Sequence, residues 1–297
     1  YQIQRFETVR YAAFTPASDL AEVQAKSSTD LQAVPVTSNA DSPYKSLQPV
    51  FTLSGLSPAV AELFAPRLAA LGLSATALGG SDSSASLNSQ PSTLNSSPLR
   101  PGSSVSVALA TGDITLAGTG TVSSVNGNRV TAFGHPMLAL GDVALPMCSA
   151  EIVAILPSSM QSIKVATTGP IVGTISQDRL SAVTGTLGPG PAMTNVEVTV
   201  NAPHSAPRTL HFAVARQQQL TPMLVAAGVT QAILGANDAG LANGFRLTSD
   251  VAFPAAAVLA TKTIYSGPQG FQQGLNEFVQ GLTANLQNPY AKTFPDH

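Results

Sequence analysis

The chain has 297 residues, a formal net charge of −2, 10% charged and 44% apolar residues, four histidines, one cysteine and no tryptophan. So little charge excludes an electrostatic grip on nucleic acid or on an anionic membrane surface. The lone Cys148 excludes an internal disulfide and, with no second Cys or His at ligand spacing, a structural zinc site, so neither a metal nor a cofactor is expected.

The length suits two domains, each burying its own core. Residues 1–13 alternate like a strand (Ile3, Phe6, Val9, Tyr11). The chain is therefore expected to begin inside a structural element that continues an upstream part. The opening Tyr1-Gln2-Ile3-Gln4-Arg5-Phe6 is not a signal peptide, and no apolar run reaches the roughly 18 residues that would span a bilayer. Low charge with abundant Ser, Thr, Ala and Gln suits an exported bacterial protein, periplasmic or extracellular.

A short helix is expected after Thr15-Pro16, a strand over 47–53, and a helix capped by Ser57 with Pro58 as its first residue. Val60, Leu63, Phe64, Leu68 and Leu71 recur at helical spacing before Gly72, and Pro66 is expected to kink or split that helix. Residues 79–104 hold ten serines, three glycines and three prolines and little to bury, which reads as a linker or long loop. Strands follow at 105–110, 114–117, 119–125 and 129–133, with Asn126-Gly127 signalling a type I′ hairpin. Further short strands are expected at 151–156, 163–166, 171–176, 196–200 and 210–215, a pattern typical of a barrel or sandwich. Thr221-Pro222 opens a helix to about Leu234, residues 245–253 return as a strand, and Phe271, Leu275, Phe278, Leu282 and Leu286 form an apolar helical stripe. The fold class is α+β, mainly β. Its segments are 1–78, the linker 79–104, a β-rich core over 105–202, and an α/β extension over 203–297 ending in an amphipathic helix.

The residue with chemistry to offer is His135 in Gly134-His135-Pro136, where a strand runs into a Gly/Pro loop. Position alone fits a packed or capping histidine as well as a proton-transfer group. Serine-peptidase chemistry needs a nucleophile, a histidine that takes and returns its proton, and usually a carboxylate that orients the imidazole. Asp142 is the local carboxylate that could orient His135, a loop-turn or solvent-facing role being the alternative. Asp178-Arg179 reads as an exposed turn or as an ion pair supporting the site, and Glu151 as a paired, partly buried acid. His204, His211 and His297 read as surface or strand residues, and Cys148 as a small buried hydrophobe.

Several motifs occur in order: Gly118-Thr119-Gly120-Thr121-Val122, Arg129-Val130-Thr131-Ala132-Phe133-Gly134-His135-Pro136, Leu145-Pro146-Met147, Ala150-Glu151-Ile152-Val153, and residues Val172 through Arg179. This series resembles the SpoIVB-type serine peptidase family, over about 104–200 most strongly, with Phe14-Thr15-Pro16 and Thr221-Pro222 as further landmarks. The resemblance implies a chymotrypsin-like β-barrel, peptide-bond hydrolysis, and His135 as general base. The family's Gly-Met-Ser-Gly-Ser-Pro type nucleophile segment does not occur here. Ser54-Gly55-Leu56-Ser57-Pro58 and Ser266-Gly267-Pro268 only echo it, being explained by a helix cap and a turn. In a rearranged branch the nucleophile segment precedes the Gly-His-Pro segment. By that resemblance the serine and the acidic partner are expected upstream of Tyr1, as a partner segment or chain acting with this one on a peptide substrate.

Two other readings compete. A non-catalytic scaffold or interaction protein, a homo-oligomer using the barrel and the C-terminal helix, fits the missing nucleophile. A carbohydrate-binding sandwich fits less well, because sugar platforms need aromatic faces and the chain has no Trp and five Tyr.

Overall fold

The computed structural model describes residues 2–5, 10–13, 17–18, 50–70, 74–77, 99–156, 163–201, 206–235, 245–252, 258–266 and 270–286. Contacts divide the chain into two compact units, Tyr1–Met193 and Thr194–His297. The architecture is mainly β. Most of the expected linker, together with Leu71, Gly72, His204 and His297, lies outside the described residues.

In the first unit, β1 (Gln2–Arg5) and β2 (Arg10–Ala13) pair antiparallel, so the stretch expected as one alternating strand is a hairpin. Strand β3 (Val50–Ser54), helix α1 (Pro58–Ala70) and strand β4 (Ser74–Ala77) form a crossover in which β4 runs parallel to β3. The Val60 N–H donates to Ser57 Oγ at 3.5 Å, the expected cap. Val60, Phe64 and Leu68 bury one face of α1. Contrary to expectation, α1 runs unbroken through Pro66. Pro66 lies on the exposed face, where water can take up the Glu62 carbonyl that loses its N–H partner.

Six strands build the body of this unit: β5 (Ser104–Gly112), β6 (Thr115–Asn126), β7 (Arg129–Ala132), β8 (Gly141–Leu156), β9 (Ile163–Asp178) and β10 (Val183–Leu187). They pair antiparallel in the order β5-β8-β9-β10-β7-β6, and β6 pairs back onto β5, closing a ring. Strand β3 adds to the edge of β6, with Phe51 opposite Gly118. Val105, Val107, Leu116, Val130, Leu145, Met147, Ile175 and Val183 are among the buried residues that fill the core.

Four local expectations change here. Residues 114–117 and 119–125 form one strand instead of two. The segment after Gly141, expected as loop, is already β8, and β8 and β9 run 16 residues each with several register shifts. The β6–β7 hairpin closes on Asn126 opposite Arg129, so its turn is Gly127-Asn128; with Gly127 at φ +60° and Asn128 outside the left-handed region it is a type II′ turn. Glu151 is exposed on β8 instead of partly buried. One buried row is polar: Thr131, Thr184 and Gln177 share a register line across β7, β10 and β9.

In the second unit, β11 (Met193–Val200) neighbours β12 (Arg208–Ala215), and the Thr199 and Thr209 hydroxyls meet at 2.9 Å. Helix α2 (Thr221–Gly235) starts where expected, with Thr221 Oγ1 donating to the Ala215 carbonyl at 2.8 Å. Strands β13 (Phe245–Val251) and β14 (Leu259–Tyr265) form a hairpin, of which only β13 was expected. Helix α3 (Gly270–Leu286) carries the expected stripe, with Leu275 buried and Phe278 and Leu282 half-buried. A small apolar pocket lies between α2, β13 and α3, lined in part by Val229, Phe245, Leu275 and Phe278. Among the described residues no helix is long and apolar enough to cross a membrane.

Candidate active site

His135 sits on the segment that joins β7 to β8. That segment contains two non-glycine residues in the left-handed region, Phe133 at φ +76° and Ala139 at φ +56°, beside Gly134 at +71° and Gly141 at +79°. A side chain there costs about 1 kcal/mol or more, so the surrounding structure has to hold the segment in place.

It is held from both ends. At the N-terminal end the Phe133 N–H donates to the Thr121 carbonyl at 2.9 Å. The Phe133 ring lies over Gly120, where an added Cβ would come 2.0 Å from ring Cδ1. This is the physical reason for a glycine at the centre of Gly118-Thr119-Gly120-Thr121. At the C-terminal end the carboxylate of Asp178, the last residue of β9, gathers the backbone. Oδ1 accepts the Met137 N–H at 2.7 Å, and Oδ2 accepts the N–H groups of Leu138 at 2.7 Å and Leu140 at 3.3 Å. Burial pushes the Asp178 carboxyl above its ordinary range, while these N–H groups pull it back by favouring the anion.

Asp178 and Arg179 are therefore not an exposed turn: they are 1% and 8% exposed. Arg179 Nη2 donates to Asp142 Oδ1 at 2.6 Å, a salt bridge that ties the start of β8 to the end of β9. Asp142, expected as a candidate orienter of the imidazole, is thus engaged by Arg179. The hydrogen bond at His135 Nδ1 is to the Pro136 carbonyl, at 2.8 Å.

A carbonyl can only accept, so in this contact Nδ1 is the donor and a neutral ring presents the Nε2 lone pair. Burial pushes the His135 pKa below its ordinary value of 6.5, with the Pro136 carbonyl and the Asp178 charge opposing and the Lys164 charge adding to the fall. The half-buried imidazole is tilted at 37° to the Phe133 ring, centroids 5.6 Å apart. Lys164, near the start of β9, donates from Nζ to Thr121 Oγ1 at 2.6 Å, and desolvation lowers its pKa. An imidazole held neutral with Nε2 as acceptor can take a proton from a hydroxyl and return it to a leaving amine.

The remaining sequence candidates sit on other elements. Ser57 caps α1, and Ser54 ends β3. Ser266 is exposed just after β14, and Gly267 and Pro268 lie outside the described residues. His211 makes an exposed cross-strand pair with Glu197 at 3.4 Å. Cys148 is fully buried with Ala108 and Ala117, and burial pushes its thiol up to about 12, which makes it inert. Among the described residues no group of three His, Cys, Asp or Glu side chains is placed to hold a metal ion. Sequence reasoning did not find Thr121 and Lys164, which are 43 residues apart and on strands that are not neighbours in the ring. It named Asp178 without its role, since nothing local reveals that a carboxylate caps a loop 41 residues earlier. Comparison with protein-family models, with curated proteins and with solved structures returned no match for this chain.

Proposed function

We propose that this chain is the histidine-bearing part of an exported serine endopeptidase of the SpoIVB type, in which His135 is the general base. The supporting observation is the His135 Nδ1 contact to the Pro136 carbonyl at 2.8 Å, which leaves Nε2 as the acceptor on a ring whose burial favours the neutral form. The ring of six antiparallel strands is read as the chymotrypsin-like barrel of such an enzyme. The serine nucleophile is supplied by a segment or chain upstream of Tyr1. Nε2 takes the serine Oγ proton as Oγ attacks the peptide carbonyl, gives it to the departing amine, and then deprotonates the water that releases the acyl group. Backbone N–H groups beside that serine stabilise the oxyanion.

The test uses the full encoded protein with its upstream segment. A fluorophosphonate probe is expected to label the nucleophile-bearing segment, and His135→Ala to abolish both labelling and peptide hydrolysis. A preparation in which nothing is labelled, or in which His135→Ala hydrolyses as well as wild type, overturns the reading.

A second reading, a non-catalytic scaffold that assembles through copies of itself, draws on the outer part of the β8–β9 hairpin. Val153 and Ile155 are 67% and 61% exposed there. A discrete oligomer by light scattering, lost on Val153→Ser with Ile155→Ser and indifferent to His135→Ala, favours that reading.

A further inference from the structure

We propose that Asp178 is the positioning residue of His135 and acts on it through a single peptide group. The proposal deepens the general-base reading, on which its functional meaning rests, while the geometry is independent of it.

The peptide bond between Pro136 and Met137 carries both contacts. Its N–H donates to Asp178 Oδ1 at 2.7 Å, and its C=O accepts the Nδ1–H of His135 at 2.8 Å. A peptide group is planar and delocalised. Donation from its nitrogen to an anion draws negative charge onto its carbonyl oxygen, and hydrogen bonds in series strengthen one another. The buried carboxylate thus reinforces the acceptor that fixes the tautomer and tilt of the imidazole, the task a directly bonded aspartate performs in a Ser-His-Asp triad. Asp178 also pins Leu138 and Leu140, so the peptide that relays the effect cannot rotate away. Among the described residues two side-chain charges act on the ring with opposite effects: Asp178 stabilises the imidazolium and Lys164 opposes it. The other acid at this end of β8, Asp142, is engaged by Arg179.

The experiment is an NMR titration of the His135 ring in the whole chain, reading tautomer from the ring nitrogens and the midpoint from the ring protons. The wild-type ring is expected to carry its proton on Nδ1. In Asp178→Asn the tautomer population should shift toward Nε2–H and the titration midpoint should move to lower pH, because the supporting charge is gone. A second variant places the α-hydroxy analogue of methionine at position 137, which replaces the N–H that Asp178 accepts by an ester oxygen and also weakens the Pro136 carbonyl as an acceptor; it leaves Asp178 in place and tests whether this peptide group fixes the tautomer where Asp178→Asn does not fold. It is expected to shift the tautomer in the same direction, whereas Asp142→Asn is expected to leave the tautomer as in wild type. A wild-type ring protonated on Nε2, or an ester variant with the wild-type tautomer, overturns the proposal. Failure of peptide hydrolysis by the full encoded protein, with the tautomer results as expected, counts against the peptidase reading alone.

Discussion

Three backbone N–H groups on one buried carboxylate make Asp178 the residue whose loss should cost most for its size. Asp178→Ala orphans donors on Met137, Leu138 and Leu140, and only part of that cost is offset by no longer burying a charge. A loss of about 3 kcal/mol in urea unfolding is expected, and a loss below a tenth of that would show that the loop holds itself. His135 gives a pH signature with a definite sign. Its folded pKa is depressed below 6.5, so the folded state binds fewer protons than the unfolded one as pH falls past 6.5. The stability it contributes is present above pH 6.5 and is lost as pH falls through its lower folded value. Melting temperatures measured from about pH 7.5 down to about pH 5 should therefore fall more steeply in wild type than in His135→Gln. The placement of His135 at the end of a strand was legible in Phe133-Gly134-His135-Pro136 itself. Its hydrogen bonding was not, because the partner carbonyl faces Nδ1 only once Phe133 and Ala139 take left-handed backbone, and that depends on Gly120 and Asp178 from other strands.

At the scale of elements, alternation and turn residues marked most strands, and the errors share one cause. Local signals show where a strand can form and not how far its neighbours extend it. Pairing with each other carries β8 and β9 through Pro146 and through segments that read as loop, and it makes the short β10 worth forming. The hairpin turn moved by one residue for a related reason. The pairing of Asn126 with Arg129 leaves Gly127 as the residue that takes φ +60°. Two glycines of the β6–β7 hairpin should therefore respond differently to substitution. Gly120→Ala drives a methyl into the Phe133 ring and is expected to cost at least about 2 kcal/mol. Gly127→Ala meets no atom within 4 Å and should cost only its backbone strain, about 1 kcal/mol. Equal costs in chemical unfolding would mean that the Phe133 ring moves freely. The polar row across β7, β10 and β9 makes the opposite prediction. Thr184 Oγ1 is buried with no hydrogen-bond partner among the described residues, so Thr184→Val is expected to raise stability by about 1 kcal/mol. A lower melting temperature in that variant would show that the hydroxyl is satisfied.

For the molecule as a whole, composition already bounds the partners. With a net charge of −2 and a pI near 6.1, the chain should pass through a heparin column at about 50 mM salt without retention, and retention would point to a basic surface that the totals conceal. Composition and periodicity also determined the β-rich character, the α1 cap and stripe, the opening of α2 and the apolar stripe of α3, because these depend on residues within one or two turns of each other. The ordered motifs around His135 were visible for the same reason, since each is a short run of neighbours. Closure of the six strands into a ring, the crossover β3-α1-β4 and the gathering of Thr121, His135, Lys164 and Asp178 at one place were decided only in the tertiary structure. Those contacts join residues tens of positions apart, and no local preference specifies them. They form when burying the core chooses among the many pairings that the same strands allow, and that choice converts a histidine at the end of a strand into an imidazole with a defined proton.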